Sequence, residues 1–453
     1  MLKKLYEKKT TRDDVDFTDI TLTIKDAKWP APYGFELEYS APARGTWNIV
    51  HSGMNVPEAH EIYVCAAGCL RGVVLTAAEM NAIDRFSTVE VREENLFDGS
   101  LEDLAINGVD DILERLPYKP RAVMVHTNCL HHFAGCDIDV IQNAIKEHHP
   151  DIDFIDAYMN PIMRKSGLTP DQLMRSRIML LLNKRPLNKK AIAIVGNDLA
   201  TRKESDFYQF LLSTGLRIHE ITDAKTYDEY QEMAESSYYL TSYPSACAGA
   251  DMLAEKLGGK HLPLKFSFNY EEIRQMYETL SIELKDTGAD ITLPDFTSYE
   301  AKCDKALDDL KKLIGDTEIS IDYTYCVRPL GLAKLLLKKG FNVKTIYLDA
   351  YNGADKPDYD YLVEHHPELT IMPTINVKMR YFVKEAGRDA LAIGQKAAFF
   401  ENTKHFVNAI QNDGMLGYNT ILQTVAHIEE AYKNEKEIME NIRQKGLGCE
   451  SCI

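Results

Sequence analysis

The amino-acid sequence predicts an α/β fold with three Rossmann-like domains, whose parallel sheets surround a central cleft. The main observation is a strand–helix–strand pattern that occurs three times, with apolar strand-like runs at 122–126, 191–195 and 319–321. Each run is followed by a helical pattern and then by a further strand, at 153–155, 217–221 and 343–348. Such units imply parallel sheets with right-handed crossovers. A chain of 453 residues is long enough for three of them.

Four segments follow from this pattern in chain order. Residues 1–45 are predicted to form a polar, irregular arm that is free to wrap a neighbouring subunit. Residues 46–187, 188–317 and 318–453 are predicted to form the three α/β domains. The third is expected to end in one long amphipathic helix over 421–443, followed by a cysteine-containing tail. Because ligands of open α/β sheets bind at the carboxyl ends of the strands, we expect a site between the domains.

Composition and the lack of certain motifs exclude several function classes. The net charge of −17 argues against nucleic acid, which selects for basic surfaces. No apolar run is long enough to span a bilayer, so a cytoplasmic location without membrane contact is expected. The sequence contains no G-x-G-x-x-G, no G-x-x-x-x-G-K-[ST] and no G-x-S-x-G. Nucleotide binding and serine-hydrolase chemistry are therefore not predicted.

The cysteines are the most informative residues, because a cytosolic chain is not expected to form disulfides. Cys65 and Cys69 are four residues apart, and Cys129 and Cys136 are seven apart; all four lie where a strand is expected to run into a helix. Thiolates on such turns can converge and hold a metal or an iron–sulfur cluster. The alternative is that they are buried structural thiols, which is also our interpretation of the isolated cysteines Cys303 and Cys326.

Two adjacent histidines follow Cys129. His131 and His132 point in different directions, so a shared metal is not expected. We interpret them as a solvated pair or as donors to a neighbouring ligand.

The order of these motifs resembles component 1 of nitrogenase and its relatives, including the dark-operative protochlorophyllide reductases. The resemblance spans most of the chain and is carried by Gly68-Cys69, Phe97-Asp98-Gly99, Thr127-Asn128-Cys129, Gly135-Cys136-Asp137 and Leu416-Gly417-Tyr418. It implies that Cys69 and Cys129 are ligands of an iron–sulfur cluster, [4Fe–4S] or larger, between two homologous subunits. The family's further upstream cysteine is missing here. Cys65 is a candidate replacement, and Cys136 stands where the family has aspartate. Four thiolates of one subunit would suffice for a [4Fe–4S] cluster, and pairs from two subunits that bridge one cluster are the alternative.

The resemblance also implies a second metallocofactor, held by a cysteine of the middle domain and a histidine near the C-terminus. Cys247 lies about one helical turn from the expected position, and His405 is a comparable near match. Structural roles for both are the alternative. In the tail, Cys449 and Cys452 form a C-x-x-C pair, which suits either a redox or metal site or a mobile terminus.

These observations lead to the hypothesis of a nitrogenase-like oxidoreductase subunit. By resemblance, its electrons come from a separate ATP-hydrolysing iron protein, and its interface is completed by a homologous subunit, identical or not. Two alternatives remain open: a scaffold on which a metal cofactor matures, and a non-redox protein that binds a small ligand or metal. The substrate is not predicted.

Overall fold

Three separate β-sheets organise the chain in a computed structural model that describes residues 11–34, 39, 41, 43, 49–157, 168–385 and 390–443. The strands within these residues are β1 Leu22–Thr23, β2 Ala59–Cys65, β3 Phe86–Glu90, β4 Ala122–His126, β5 Asp153–Asp156, β6 Asn188–Ile194, β7 Arg217–Glu220, β8 Ser236–Thr241, β9 Lys260–Pro263, β10 Glu318–Asp322, β11 Asn342–Tyr347, β12 Thr370–Met372, β13 Ala390–Ile393 and β14 His405–Val407. The α-helices are α1 Ile49–Met54, α2 Ala67–Glu79, α3 Glu93–Phe97, α4 Leu101–Arg115, α5 Cys129–Ala134, α6 Ile138–His148, α7 Pro170–Met179, α8 Asp206–Ser213, α9 Tyr227–Glu232, α10 Cys247–Leu257, α11 Tyr270–Glu283, α12 Phe296–Ile314, α13 Pro329–Lys338, α14 Lys356–His365, α15 Gln395–Glu401, α16 Asn419–Lys433 and α17 Ile438–Arg443.

The first sheet has the strand order β3-β2-β4-β5, and all of its pairings are parallel. Every residue of β2 is buried, as expected for a parallel sheet covered on both faces. Successive side chains of a strand point to opposite faces. Ile62 and Val64 therefore pack in one core with α4 and α6. Tyr63 and Cys65 pack in another core with α1 and α2.

The second and third sheets repeat this arrangement. The second has the order β7-β6-β8-β9 and is parallel throughout. The third has the order β1-β12-β11-β10-β13-β14, and only its edge strand β1 is antiparallel. The prediction of an α/β fold with three parallel sheets is confirmed. Apart from β1, the strands fall within 59–156, 188–263 and 318–407, whereas the domain boundaries at 187 and 317 stay predictions.

The described part of the N-terminal arm packs on its own chain. Leu22 in β1 pairs with Ile371 in β12, and the next residue but one, Ile24, is fully buried. Trp29 stacks on Tyr351, with ring centroids 5.2 Å apart. An added antiparallel strand covers a sheet edge that would otherwise expose unpaired backbone groups. This part of the arm therefore covers an edge of the third sheet of the same chain. Its predicted contact with a neighbouring subunit stays a prediction.

The C-terminal helix is shorter than the sequence predicts. The expectation of one helix over 421–443 is wrong, because α16 ends at Lys433 and α17 begins only at Ile438. Asn434 takes up an extended backbone, and its side-chain amide donates to the carbonyl of Glu430. The backbone N–H of Lys436 then donates to Lys404, which directs the chain away from the helix axis. The tail with Cys449 and Cys452 lies outside the described residues.

No helix in the described part of the chain is long and apolar enough to cross a membrane.

Candidate metal centre and central cleft

Three of the predicted cysteines meet at the carboxyl edge of the first sheet. Cys65 ends β2, Cys69 lies in the first turn of α2, and Cys129 begins α5 directly after β4. β2 and β4 are adjacent parallel strands, so their carboxyl ends lie side by side. β3 pairs with one side of β2, and β4, which comes later in the chain, pairs with its other side. The carboxyl ends of β2 and β4 therefore flank the point where the strand order of the sheet reverses, its topological switch point. Ligands of open α/β sheets bind at such points.

The thiols of Cys69 and Cys129 are close enough to affect each other. Cys69 is exposed, and Cys129 is half-buried. Burial raises the pKa of the Cys69 thiol, and the neighbouring Cys129 raises it further. The side-chain amide of Asn128 donates to Cys69 Sγ at 3.9 Å. A bound cation would attract both thiolates and so offset their mutual repulsion. The pair therefore suits a soft metal centre.

Cys65 is adjacent to this pair but is part of the hydrophobic core. It is 1% exposed and packs among apolar residues such as Val73 and Ala77. Burial, with a smaller effect of Cys69, raises the pKa of the Cys65 thiol to about 12. The neutral thiol is therefore the stable form here. Its predicted role as a ligand stays a prediction.

Cys136 lies in a different local environment from Cys69 and Cys129, and its predicted role as a ligand stays a prediction. α5 ends at Ala134, and Gly135 has a φ of 71°, so Cys136 is not two turns further along the same helix. Burial and the nearby Glu102 raise the pKa of the Cys136 thiol to about 11. Glu102 also accepts the backbone N–H of Asp137 at 3.1 Å. The turn after α5 therefore directs Cys136 to α4.

The two histidines after Cys129 have different environments. His132 is exposed, as a solvated residue should be. His131 is fully buried, so its interpretation as solvated is wrong. Its Nδ1 accepts the backbone N–H of Asn128 at 3.3 Å. Asn128 in turn caps α5 by accepting the N–H of Leu130 at 3.1 Å, so His131 and Asn128 together hold the turn that carries Cys129.

Behind the thiols lies a buried polar group that sequence reasoning missed. The Tyr63 hydroxyl donates to Glu61 Oε2 at 3.0 Å, and His126 Nε2 lies 3.3 Å from the same oxygen. The rings of Tyr63 and His126 stack with centroids 3.9 Å apart. Burial raises the pKa of Glu61, although His126 and Tyr63 oppose this. The signal was present in the sequence, since a glutamate inside a buried strand needs a partner.

The central cleft lies between the carboxyl edges of the second and third sheets. Its volume is about 50 Å³. The second sheet contributes the residues that follow β6, β8 and β9, and the third contributes those that follow β10 and β14. The lining residues are Asn197, Leu199, Thr201, Ser242, Tyr243, Phe266, Val327, Gln411, Gly414, Met415 and Leu416.

A buried ion pair joins the three parts of the chain beside this cleft. Arg175 Nη2 donates to Asp198 Oδ2 at 2.7 Å, and the two side chains are 2% and 0% exposed. Ser52 from the first unit donates to Asp198 at 2.9 Å, and Gln411 from the third donates to it at 3.1 Å. The guanidinium of Arg175 also lies over the ring of Tyr243, 4.4 Å from its centroid. This junction therefore links residues that are distant in sequence to Tyr243 and Gln411, two residues of the cleft wall.

Cys247 and His405 are not brought together. Cys247 begins α10 in the second unit, with its sulfur 3.6 Å from Thr241 Oγ1. His405 begins β14, so it lies at the amino edge of the third sheet, away from the edge that faces the cleft. Its Nδ1 bonds to the carbonyl of Ala431 in α16 at 3.0 Å. The expectation of one cofactor held by both residues therefore does not fit this structure.

The isolated cysteines are buried as predicted. Cys303 and Cys326 are 0% and 1% exposed. In the part of the chain that the structure describes, no group of three or more His, Cys, Asp or Glu side chains could hold a metal ion.

Comparison with known proteins places this geometry in a family. A sequence profile described as "Nitrogenase component 1 type Oxidoreductase" matches residues 52–432. Among solved structures, "Nitrogenase Cp1 at pH 6.5" is similar with a TM-score of 0.64 at 14% identity, covering 88% of this chain and 94% of that chain. "Nitrogenase Cp1 at pH 5" is similar with a TM-score of 0.54 at 12% identity, covering 91% and 94%. At this identity the structural likeness shows the fold alone. No curated protein sequence matches the chain.

Proposed function

Because this chain belongs to the nitrogenase component 1 type oxidoreductase family, we propose that it is a reductase subunit that binds an iron–sulfur cluster through Cys69 and Cys129. The observation that supports this most directly is the approach of the two thiols at the switch point of the first sheet. Iron–sulfur clusters are held by thiolates, and their potentials depend on hydrogen bonds to sulfur and on exposure. When bound, the cluster supplies one-electron transfer.

The chain's own residues bind and orient this group. Cys69 and Cys129 are the ligands, and Asn128 stands between them with its amide donating to Cys69 Sγ. Hydrogen bonds to ligating sulfur stabilise the anionic form and orient it. Behind them, the buried group of Glu61, Tyr63 and His126 keeps water from the sheet side of the site, since all three side chains are fully buried.

A homologous subunit is the proposed source of the remaining ligands. Two thiolates are half of the usual set of four, while Cys65 is buried and Cys136 contacts Glu102. Large apolar side chains are also exposed in this part of the chain. Phe133, one turn after Cys129, is 70% exposed, and Phe97 in α3 is 88% exposed. Exposed aromatic residues of this kind are typical of protein interfaces.

The proposed electron donor is an ATP-hydrolysing iron protein. The family resemblance implies it, and the chain has no phosphate-binding loop with which to couple nucleotide hydrolysis itself. After anaerobic purification, addition of the iron protein and ATP should change the electron paramagnetic resonance signal of the cluster. Reduction without product from any tested substrate would instead favour the scaffold hypothesis.

The ligand assignment is tested by iron and sulfide analysis of single variants. Cys69→Ser and Cys129→Ser should each lose most of the iron, because a cluster seldom survives the loss of a thiolate. Cys136→Ser is the matched control, since Cys136 is half-buried near the same surface but contacts Glu102. It should retain its iron. Equal iron in all three variants, or a wild-type protein without iron after reconstitution, would contradict the proposal.

A further inference from the structure

We propose that the central cleft binds a small neutral amide-like molecule directly, in place of the second metallocofactor that the family resemblance implies. The cleft is the space lined by Asn197, Ser242, Tyr243 and Gln411 on its polar side. The inference goes beyond the proposed function, because it concerns a separate part of the molecule. Binding itself does not depend on the cluster.

The residues of the cleft do not fit a metallocofactor. Such groups need soft thiolate or imidazole ligands. No cysteine or histidine is among the residues that line the described cleft. Cys326 precedes the lining residue Val327, but its thiol is 1% exposed and belongs to the core. Cys247 and His405 contact Thr241 and Ala431 instead, as described above.

The size of the cleft limits the ligand to a few atoms. Its volume is about 50 Å³. A single water molecule needs about 10–15 Å³ on the same measure. The cleft therefore has room for about four water-sized groups.

The charge of the surroundings favours a neutral ligand. None of the side chains that line the cleft is formally charged. Arg175 and Asp198, which contact the lining residues Tyr243 and Gln411, pair with each other at 2.7 Å. The buried carboxylate of Glu220 accepts from the lining residues Asn197 and Thr201, so it offers no counter-charge to an anion. A charged ligand would lose its hydration without gaining a counter-ion, which is unfavourable in a narrow cleft.

The hydrogen-bonding groups of the cleft favour a ligand with both an N–H donor and an acceptor. Asn197 donates its amide to Leu199 and Glu220 and leaves its carbonyl oxygen, which is buried, without a partner among the described residues. Burial raises the pKa of Tyr243, so its hydroxyl stays protonated and able to donate. The apolar lining residues, among them Phe266 and Val327, suit a methyl or similar group.

The test uses acetamide as the probe and acetate as its charged analogue of the same size. Binding is followed by saturation-transfer NMR on the wild-type protein and on the cluster-free variant Cys69→Ser/Cys129→Ser. We expect acetamide to bind both proteins with a Kd on the order of millimolar, as suits so small a ligand. Acetate should bind at least about tenfold more weakly. Tyr243→Phe should weaken acetamide binding about fivefold, the effect of one hydrogen bond.

The control variant is Tyr432→Phe, which removes the hydroxyl of another half-buried tyrosine on α16. It should leave acetamide binding unchanged. No saturable acetamide binding up to about 100 mM, or equal binding of acetate, would overturn the inference. So would a transition metal that persists in the cluster-free variant and disappears on Cys247→Ser. Loss of iron from the wild-type protein would count against the proposed function and not against this inference.

Discussion

Replacing Asp198 with alanine tests whether one buried carboxylate holds the three parts of the chain together. Its oxygens accept from Arg175 at 2.7 Å, from Ser52 at 2.9 Å and from Gln411 at 3.1 Å. The side chain is fully buried, and that of Arg175 is 2% exposed. The variant therefore leaves a buried guanidinium without its main counter-ion.

The expected loss of stability follows from these contacts. Removing one partner of a buried ion pair costs about 3–5 kcal/mol. Arg175 keeps two other acceptors, Asp171 at 3.0 Å and the carbonyl of Gly196 at 2.6 Å, which favours the lower end of this range. The lost hydrogen bonds from Ser52 and Gln411 add about 1 kcal/mol each. We expect a total of about 5 kcal/mol.

Equilibrium urea unfolding measures this loss, with the first transition as the readout because a chain of several sheets need not unfold in one step. Asp111→Ala is the control, since the pair of Asp111 with Arg115 is 53% and 78% exposed. It should cost less than about 1 kcal/mol. A loss below about 1 kcal/mol for Asp198→Ala as well would refute the reasoning.

Protonation of Asp198 should also make the stability of the protein depend on pH in the acid range. Burial alone would raise the pKa of Asp198, but the charge of Arg175 and the contact with His51 outweigh it and hold this pKa well below its ordinary value. The stabilisation is therefore fully present above about pH 4, the pKa of an unfolded aspartate, and is lost as the pH falls below it. Asp198→Asn should show a shallower loss of stability in this acid range.

Three further predictions concern other parts of the molecule. Burial raises the pKa of Asp355 to about 7. The neutral carboxyl therefore stabilises the folded protein fully below about pH 4, and this stabilisation is lost as the pH rises through about 7. The fall in Tm between pH 5 and 8 should be smaller in Asp355→Asn than in the wild-type protein. Equal falls would contradict this. Gly394 has a φ of 114°, and a Cβ there would overlap with the carboxylate of Asp322, the last residue of β10. Gly394→Ala should lower the unfolding free energy by more than about 2 kcal/mol, whereas Gly353→Ala, with open space around it, should not; denaturant unfolding compares them. In the metal-free native protein, iodoacetamide should label exposed Cys69 well before Cys303, which is 0% exposed, and mass spectrometry would show the order. Equal labelling rates would show that the core around Cys303 opens freely.

Local pattern was enough to predict the three sheets. Buried strands such as β4 and β10 are short apolar runs bounded by turns, and the helices between them repeat apolar residues at helical spacing. Connectivity rules then make the sheets parallel. The end of the C-terminal helix was not predictable in this way, because the helical pattern continues past Asn434. The break depends on a backbone contact with Lys404, which is distant in sequence.

The sequence by itself determined the family, the parallel sheets and the approach of Cys69 to Cys129, because residues at the ends of adjacent parallel strands must be neighbours. Only the tertiary structure shows the surroundings of each cysteine. The left-handed turn at Gly135 directs Cys136 to Glu102, a contact set by the packing of α4. The separation of Cys247 from His405 was likewise decided by which edge of each sheet faces the cleft. Spacing along a chain specifies which residues a local element presents, whereas the packing of elements distant in sequence specifies which of them meet.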